Sequence, residues 1–115
     1  MDQELTAVIF TSQRTGHDEE GYQAAVRHMD HLVSSQPGYL GYRSVRDQTG
    51  LGITISYWES SDAAHPWKQV QAHLDVQRRG AEHWYAWYRV DVATVERHYA
   101  SLESSPTTSI PLEES

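Results

Sequence analysis

One segment limits the fold more than any other: residues Leu5–Ser12, which are rich in β-forming side chains and lack helical spacing. Successive side chains of a strand point to opposite faces of its sheet. In this segment both sets are apolar, with Leu5, Ala7 and Ile9 on one face and Val8 and Phe10 on the other. The sequence therefore predicts a sheet that is covered on both faces.

A helix and a pair of strands follow this first strand. Residues 15–18 open the helix, and its apolar residues recur with the spacing of one buried face: Tyr22, Val26, Met29 and Val33. Pro37 and Gly38 end it. Two strands, residues 39–46 and 52–58, are joined by Asp47–Gly50, whose polar residues and final glycine are typical of a tight hairpin.

A second helix and a last strand complete the pattern. Ser60, Ser61 and Asp62 are suitable N-cap residues, and the helix behind them carries one apolar stripe, formed by Ala63, Trp67, Val70 and Leu74. Gly80 is suited to end this helix. The last strand is expected from about Trp84 to Tyr99, with Tyr85 and Trp87 on one face and Trp84 and Tyr88 on the other.

The order β-α-β-β-α-β predicts an α+β fold of the ferredoxin-like type, a four-stranded antiparallel sheet with both helices on one face. The other face would still carry Val8, Phe10, Trp84 and Tyr88, or the residues of the alternate parity. This is too much apolar surface to leave in water, so we expect a homodimer that packs sheet against sheet. We expect one domain over residues 1–100 and a flexible tail over residues 101–115, which is rich in Ser, Thr, Pro and Glu.

Composition excludes several classes of function. A net charge of −7 argues against general binding to nucleic acid or to an anionic membrane. The chain has no cysteine, which rules out disulfides and thiolate metal sites. No apolar run approaches the length of a membrane span, and the acidic start is unlike a signal peptide. We therefore expect a soluble, cytoplasmic protein.

Five short stretches of the sequence resemble the antibiotic-biosynthesis-monooxygenase family: residues 9–12, 36–41, 52–58, 84–88 and 95–97. Trp67, Lys68, His73 and Gly80 add to the resemblance, which extends from about Leu5 to Tyr99. It implies a dimeric α+β barrel with a pocket between sheet and helices in each protomer. It also implies one of two activities, cofactor-free oxidation of polyphenolic aromatic compounds or degradation of haem.

The haem-degrading branch uses an Asn on the first strand and a Trp and a His on the second helix. Trp67 fits the Trp position, but the Asn position falls near Ser12 and Gln13, and the chain contains no Asn. The His position falls at Gln77, one helical turn beyond His73. One match in three argues against haem degradation, although His73 keeps haem binding open.

The candidate site residues each have a structural alternative. Trp67 on an apolar stripe is more often a core residue than a catalytic one, and Tyr57 and Tyr85 equally suit packing at a dimer interface. His73 suits either a helix surface or a general base near neutral pH. His28 and His31 have metal-ligand spacing but miss the apolar stripe and have no evident third ligand.

From the sequence we expect a cofactor-independent monooxygenase acting on a small quinone- or anthrone-like aromatic compound. The predicted catalytic residues are His73, Trp67 and Tyr57, and the predicted substrate-binding residues are Tyr85, Trp87 and Gln13. No metal is expected. The alternatives are a non-catalytic dimer that binds an aromatic or haem ligand as a stress or sensor protein, and a haem-degrading monooxygenase. An ion pair across the dimer interface is the simplest role for Arg89 and Asp91, and anion recognition in the pocket is the alternative.

Overall fold

The architecture follows from a computed structural model that describes residues 5–67, 69 and 84–101. The elements are β1 (Leu5–Arg14), α1 (Glu19–Val33), β2 (Tyr39–Arg46), β3 (Leu51–Trp58) and β4 (Tyr85–Val95). Residues 61–67 are helical and belong to the second helix, α2. Val70 and Leu74 of the expected α2 stripe, His73 and nearly all of the predicted tail lie outside the described residues.

The four strands form one antiparallel sheet in the order β2-β3-β1-β4. β1 is therefore a central strand, hydrogen-bonded to β3 on one side and to β4 on the other. This order confirms the predicted ferredoxin-like fold. Nothing in the described residues forms a helix that is both long and apolar enough to cross a bilayer.

Both helices begin at short polar residues, within the predicted opening segment 15–18 for α1 and at the predicted cap Ser60 for α2. Asp18 adopts a left-handed backbone conformation (φ 51°, ψ 56°), and its side chain accepts a hydrogen bond from the Gly21 amide at 3.1 Å. Glu19 and Glu20 follow in the first turn, where carboxylates suit the positive end of the helix dipole. At α2 the Ser60 hydroxyl accepts from the Ala63 amide at 3.2 Å. Short polar side chains thus fix where both helices begin.

The core lies between the sheet and the two helices. Trp58 is fully buried at the end of β3, and its indole Nε1 donates to the Ser56 hydroxyl at 2.9 Å. Trp67 of α2 lies 6.2 Å from it between ring centroids. Val8, Val33 and Ala64 belong to the same buried cluster. A β1 residue and residues of both helices therefore meet on one face of the sheet.

The two faces of the sheet are assigned by register. Val8 pairs with Ser56 and lies in the core, and Phe10 and Tyr88 stack at 5.5 Å on that same covered face. The sequence left open which of the two parities faces away from the helices; Val8, Phe10 and Tyr88 lie on the covered face, so the alternate parity forms the uncovered one. The uncovered face carries half-exposed apolar residues instead, among them Ile53 and Trp87 (40% and 48% exposed).

Strand β4 departs from the prediction in two ways. It ends at Val95 rather than at Tyr99. Its register to β1 also shifts, because Gln13 pairs with Trp87 but Arg14 pairs with Tyr85, which leaves Ala86 as an extra residue. Such a bulge interrupts the alternation of side chains. Tyr85 and Trp87 therefore lie on opposite faces, whereas strict alternation predicted one face for both.

Replacing Trp58 with alanine tests the importance of this core. Because the side chain is fully buried, we expect Trp58→Ala to lower the free energy of unfolding by about 3–5 kcal/mol. The matched control, Tyr99→Ala, removes a ring that is 86% exposed and is expected to change little. Urea denaturation monitored by circular dichroism measures both, and an equal effect of the two substitutions would contradict this account of the core.

Candidate active site

A cavity of about 680 Å³ lies on the covered face, between the sheet and α1. This volume falls in the range of sites that hold small organic ligands. Its apolar wall combines aromatic and aliphatic side chains and includes Phe10, Val26, Met29, Val33, Trp67 and Trp84. The predicted helix stripe is therefore a cavity wall as much as a core face.

At one end of the cavity four polar side chains, Arg14, Tyr22, Arg46 and Tyr85, form what we call the arginine–tyrosine cluster. Arg14 is buried at the end of β1 and donates to the Trp84 carbonyl and to Glu19 Oε1, the latter at 2.6 Å. Its guanidinium carbon lies 3.9 Å from the centre of the Tyr22 ring. Hydrogen bonds, an ion pair and a cation–π contact thus fix Arg14 and the Tyr22 ring together.

Arg46 reaches the cluster from β2. Its guanidinium donates to the Tyr22 hydroxyl at 2.9 Å, to the Ser12 hydroxyl at 3.2 Å and to the Gly50 carbonyl at 2.7 Å. Gly52 stands opposite Arg46 in the β2–β3 register, and Ser12 stands opposite Gly52 in the β1–β3 register. The Arg46 side chain therefore passes over Gly52 of β3 to reach Ser12 on the central strand β1.

The two phenols of the cluster meet at right angles. The rings of Tyr22 and Tyr85 are 5.8 Å apart at an interplanar angle of 89°. Burial raises the pKa of the Tyr85 hydroxyl far above its ordinary value, and the charge of Tyr22 and a hydrogen bond with it act in the same direction. Tyr85 is therefore protonated at neutral pH, and its hydroxyl is a hydrogen-bond donor.

Three carboxylates also line the cavity, and each has a polar partner. Glu19 pairs with Arg14, and hydrogen bonds from Gln23 and then Arg14 hold its pKa below the ordinary value. Asp30 accepts from the Tyr42 hydroxyl at 3.1 Å. Asp47 accepts from the Thr49 hydroxyl and from two backbone amides of its turn, and these bonds lower its pKa.

Comparison with known proteins agrees with this geometry. Residues 5–79 match the family described as antibiotic biosynthesis monooxygenase. The chain belongs to that family. It is also 43% identical over 99 residues to the uncharacterised protein YqjZ of Bacillus subtilis, a match that covers 86% of both chains.

Solved structures of the family share the fold at low sequence identity. SnoaB of Streptomyces nogalater, a cofactor-independent oxygenase, superposes with a TM-score of 0.60 at 13% identity and covers 87% of this chain and 99% of its own. MhuD of Mycobacterium tuberculosis, a haem degrader with two haems in its active site, gives 0.59 at 18% identity, with 83% and 99% covered. At such identities the likeness establishes the fold alone.

Against the predicted site, the structure brings two of the six residues to the cavity. Trp67 and Tyr85 line it. Trp67 is also a core residue, since it is 4% exposed and packs against Trp58. Both interpretations of that side chain therefore hold.

Three of the predicted residues lie outside the cavity lining of the single chain. Tyr57 pairs with Ala7 on the uncovered face. Trp87 is directed to the same face by the bulge. Gln13 lies on that parity too and donates to the Thr49 carbonyl at 2.7 Å, which ties it to the hairpin turn. His73 lies outside the described residues, so its role stays a prediction.

Other expectations concern histidines and one ion pair. His28 and His31 are exposed on α1, and within the described ranges no group of three or more potential metal ligands occurs. Arg89 Nε lies 2.9 Å from the Asp91 carboxylate on the same strand. In this structure the pair forms within one chain, and both residues lie outside the cavity lining.

Sequence reasoning missed Arg14, Arg46 and Tyr22 as polar site residues. Their positions in the strands were one available signal. Arg14 ends β1 on the same face as Val8, and Arg46 ends β2 next to the hairpin turn. Arginines at strand ends are usually solvated, however, and only the sheet register reveals that these two converge on one tyrosine. Tyr22 was recognised as part of the buried stripe but not as a hydrogen-bonding group.

The raised pKa values of two tyrosines predict a loss of stability at alkaline pH. Burial raises the pKa of Tyr39 to about 12, and that of Tyr85 also lies above the ordinary 10. Unfolded chains release these protons near the ordinary value while the folded chain retains them, so rising pH favours unfolding above about pH 10. We expect Tyr85→Phe and Tyr39→Phe each to reduce this loss.

Urea midpoints of the native protein and the two variants, compared between about pH 9 and about pH 11, measure the effect. An unchanged pH dependence in Tyr85→Phe would contradict a buried, protonated Tyr85.

Proposed function

We propose that the protein is a cofactor-independent monooxygenase that oxidises a small planar aromatic compound of the quinone or anthrone type in the cavity. The observation that supports this most is the make-up of the cavity lining. It combines an apolar wall that includes aromatic rings with an end that carries phenol and guanidinium groups. A flat ring is well matched to the wall, and a ring oxygen to the polar end.

The proposed reaction needs no cofactor, and its only reactants are the substrate and O₂. A ring methylene loses a proton, and the resulting anion, delocalised onto a phenolic oxygen, is electron-rich enough to pass an electron to O₂. Overall the carbon loses two hydrogens and gains one oxygen atom as a carbonyl, and the second oxygen atom leaves as water with those hydrogens. Stabilising the anion lowers the barrier of the first step.

Each proposed role follows from the chemistry of a side chain. Tyr85, held protonated by burial, donates a hydrogen bond to the oxygen on which negative charge develops. Trp67 provides a flat wall against the substrate ring. His73 is proposed as the base that takes the first proton, as its residue type suits this role near neutral pH.

Haem, which some family members use, is not well matched by the described lining. Its iron is most often held by a histidine nitrogen, and within residues 5–67, 69 and 84–101 no histidine lines the cavity. The proposed reaction therefore involves no haem. A haem titration followed by ascorbate in air tests this choice, because a saturable Soret band that decays would support haem degradation and contradict the proposal.

Oxygen uptake with a panel of anthrones and hydroquinones tests the proposed activity. We expect saturable uptake by the native protein and a fall in kcat of roughly a hundred- to a thousandfold in Tyr85→Phe, the range expected when one donor to a developing oxyanion is lost. Tyr99→Phe removes an exposed hydroxyl and is the matched control. Saturable binding of these compounds without oxygen uptake would instead favour the ligand-binding alternative.

We also propose that two copies pack through the uncovered sheet face. Half-exposed apolar side chains cluster there, including Leu51, Ile53 and Trp87. A contiguous apolar surface of this kind is rarely left in water by a monomer. The uncovered face suits a second sheet, as in two-layer β packing.

A charge placed on this face is expected to separate the copies. Light scattering should give twice the chain mass of 13.1 kDa for the native protein and the single mass for Ile53→Arg. Tyr99→Arg, placed outside the sheet on an exposed residue, should remain dimeric. A single-chain mass for the native protein would contradict the proposal.

A further inference from the structure

The two arginines of the arginine–tyrosine cluster differ in how their charges are balanced. Arg14 has a carboxylate partner, since its Nη2 lies 2.6 Å from Glu19. Arg46 donates to hydroxyl and carbonyl oxygens, which are neutral. Among the residues that the structure describes, no carboxylate forms an ion pair with Arg46. The cluster therefore holds one positive charge in excess.

The acids that line the cavity keep their negative charges but contact other groups. Asp47 follows Arg46 in the chain, and its carboxylate accepts hydrogen bonds from Thr49 and from the Leu51 amide within the hairpin turn. Glu19 contacts Arg14 and Gln23 and attracts Arg46 only at longer range, and Asp30 accepts from Tyr42. A guanidinium bonds more strongly to a charged oxygen than to a neutral one, so an anion that enters the cavity and takes the place of a neutral acceptor would be stabilised beside Arg46.

The Arg46 guanidinium is also held in place. It bridges from β2 over Gly52 to Ser12 on the central strand and meets the Tyr22 hydroxyl from α1. A Cβ at Gly52 would lie 2.6 Å from the guanidinium carbon, much too close for contact. The absence of a side chain at Gly52 therefore permits this position, and a fixed donor loses little freedom when it binds a ligand.

We propose that Arg46 binds an ionised oxygen carried by the planar ligand of the cavity, either a carboxylate or the oxyanion of an acidic phenol or enol. A guanidinium donates well to both, and the buried Tyr85 hydroxyl in the same cluster provides a second donor. The inference rests on the proposed function in naming its substrate class: anthrone- or quinone-type rings that carry an ionised carboxylate or hydroxyl group rather than neutral rings.

Isothermal titration calorimetry of the full chain with two matched pairs of probes tests this inference. 1-Naphthoate is compared with 1-naphthamide for the carboxylate, and 2-hydroxy-1,4-naphthoquinone with its 2-methoxy analogue for the enolate. We expect the anion of at least one pair to bind roughly tenfold or more tightly than its neutral partner, as charge-assisted hydrogen bonds do. The pair that shows the preference identifies the type of oxyanion.

Three variants connect the preference to Arg46. Arg46→Gln removes the charge, and Gly52→Ala keeps the charge but displaces the guanidinium. Both are expected to abolish the preference for the anion while binding of the neutral partner persists. Arg97→Gln removes an exposed charge outside the sheet and should keep the preference. If Arg46→Gln fails to fold by circular dichroism, Gly52→Ala decides the question.

An equal affinity for anion and neutral partner in the native protein, or no saturable binding of either, would overturn the inference, as would a preference retained in both Arg46→Gln and Gly52→Ala. These results are separable from the proposed activity. A charge preference without oxygen uptake leaves the Arg46 site standing and removes the monooxygenase. Oxygen uptake without a charge preference does the reverse.

Discussion

The fold depends on the position of β1 between two antiparallel neighbours. Because β3 and β4 both hydrogen-bond to it, its backbone groups are satisfied on both edges and its side chains must serve two different environments. Its even-numbered side chains provide in turn a core residue, a cavity wall, a hydrogen-bond acceptor for Arg46 and a buried cation: Val8, Phe10, Ser12 and Arg14. The odd-numbered residues form part of the uncovered face. The core, the cavity and the uncovered face all follow from this one strand.

Much of this arrangement could be predicted from local sequence. Several elements are specified by short-range interactions, and the structure agrees with them. They are the apolar spacing of α1 with its start at Asp18, the Ser60 cap and the Asp47–Gly50 turn. Element order then restricts the topology, because the order β-α-β-β-α-β is typical of a four-stranded antiparallel sheet with both helices on one face. The family resemblance pointed to the same fold.

The site was less accessible to such reasoning, because its members are distant in sequence. Arg46 contacts Ser12 and Tyr22 through three elements whose register no local pattern specifies. Tyr57 was assigned to the pocket from residue type alone, whereas the β1–β3 register places it with Ile53 on the uncovered face. Trp87 was misplaced for another reason: a single extra residue in β4 reverses the alternation between Tyr85 and Trp87. Bulges have no reliable signature in one sequence.

The crossing of Arg46 over Gly52 has a consequence for comparing relatives. In this backbone an arginine at position 46 and any side chain at position 52 compete for the same volume, so the two positions should vary together when sequences of the family are aligned. A relative with arginine at position 46 and glycine at position 52 retains the cationic end of the cavity. A relative with a bulkier residue at position 52 has this end of the cavity filled and without the charge. Two facing positions on a hairpin can thus sort relatives by the charge of their ligands before any of their structures is determined.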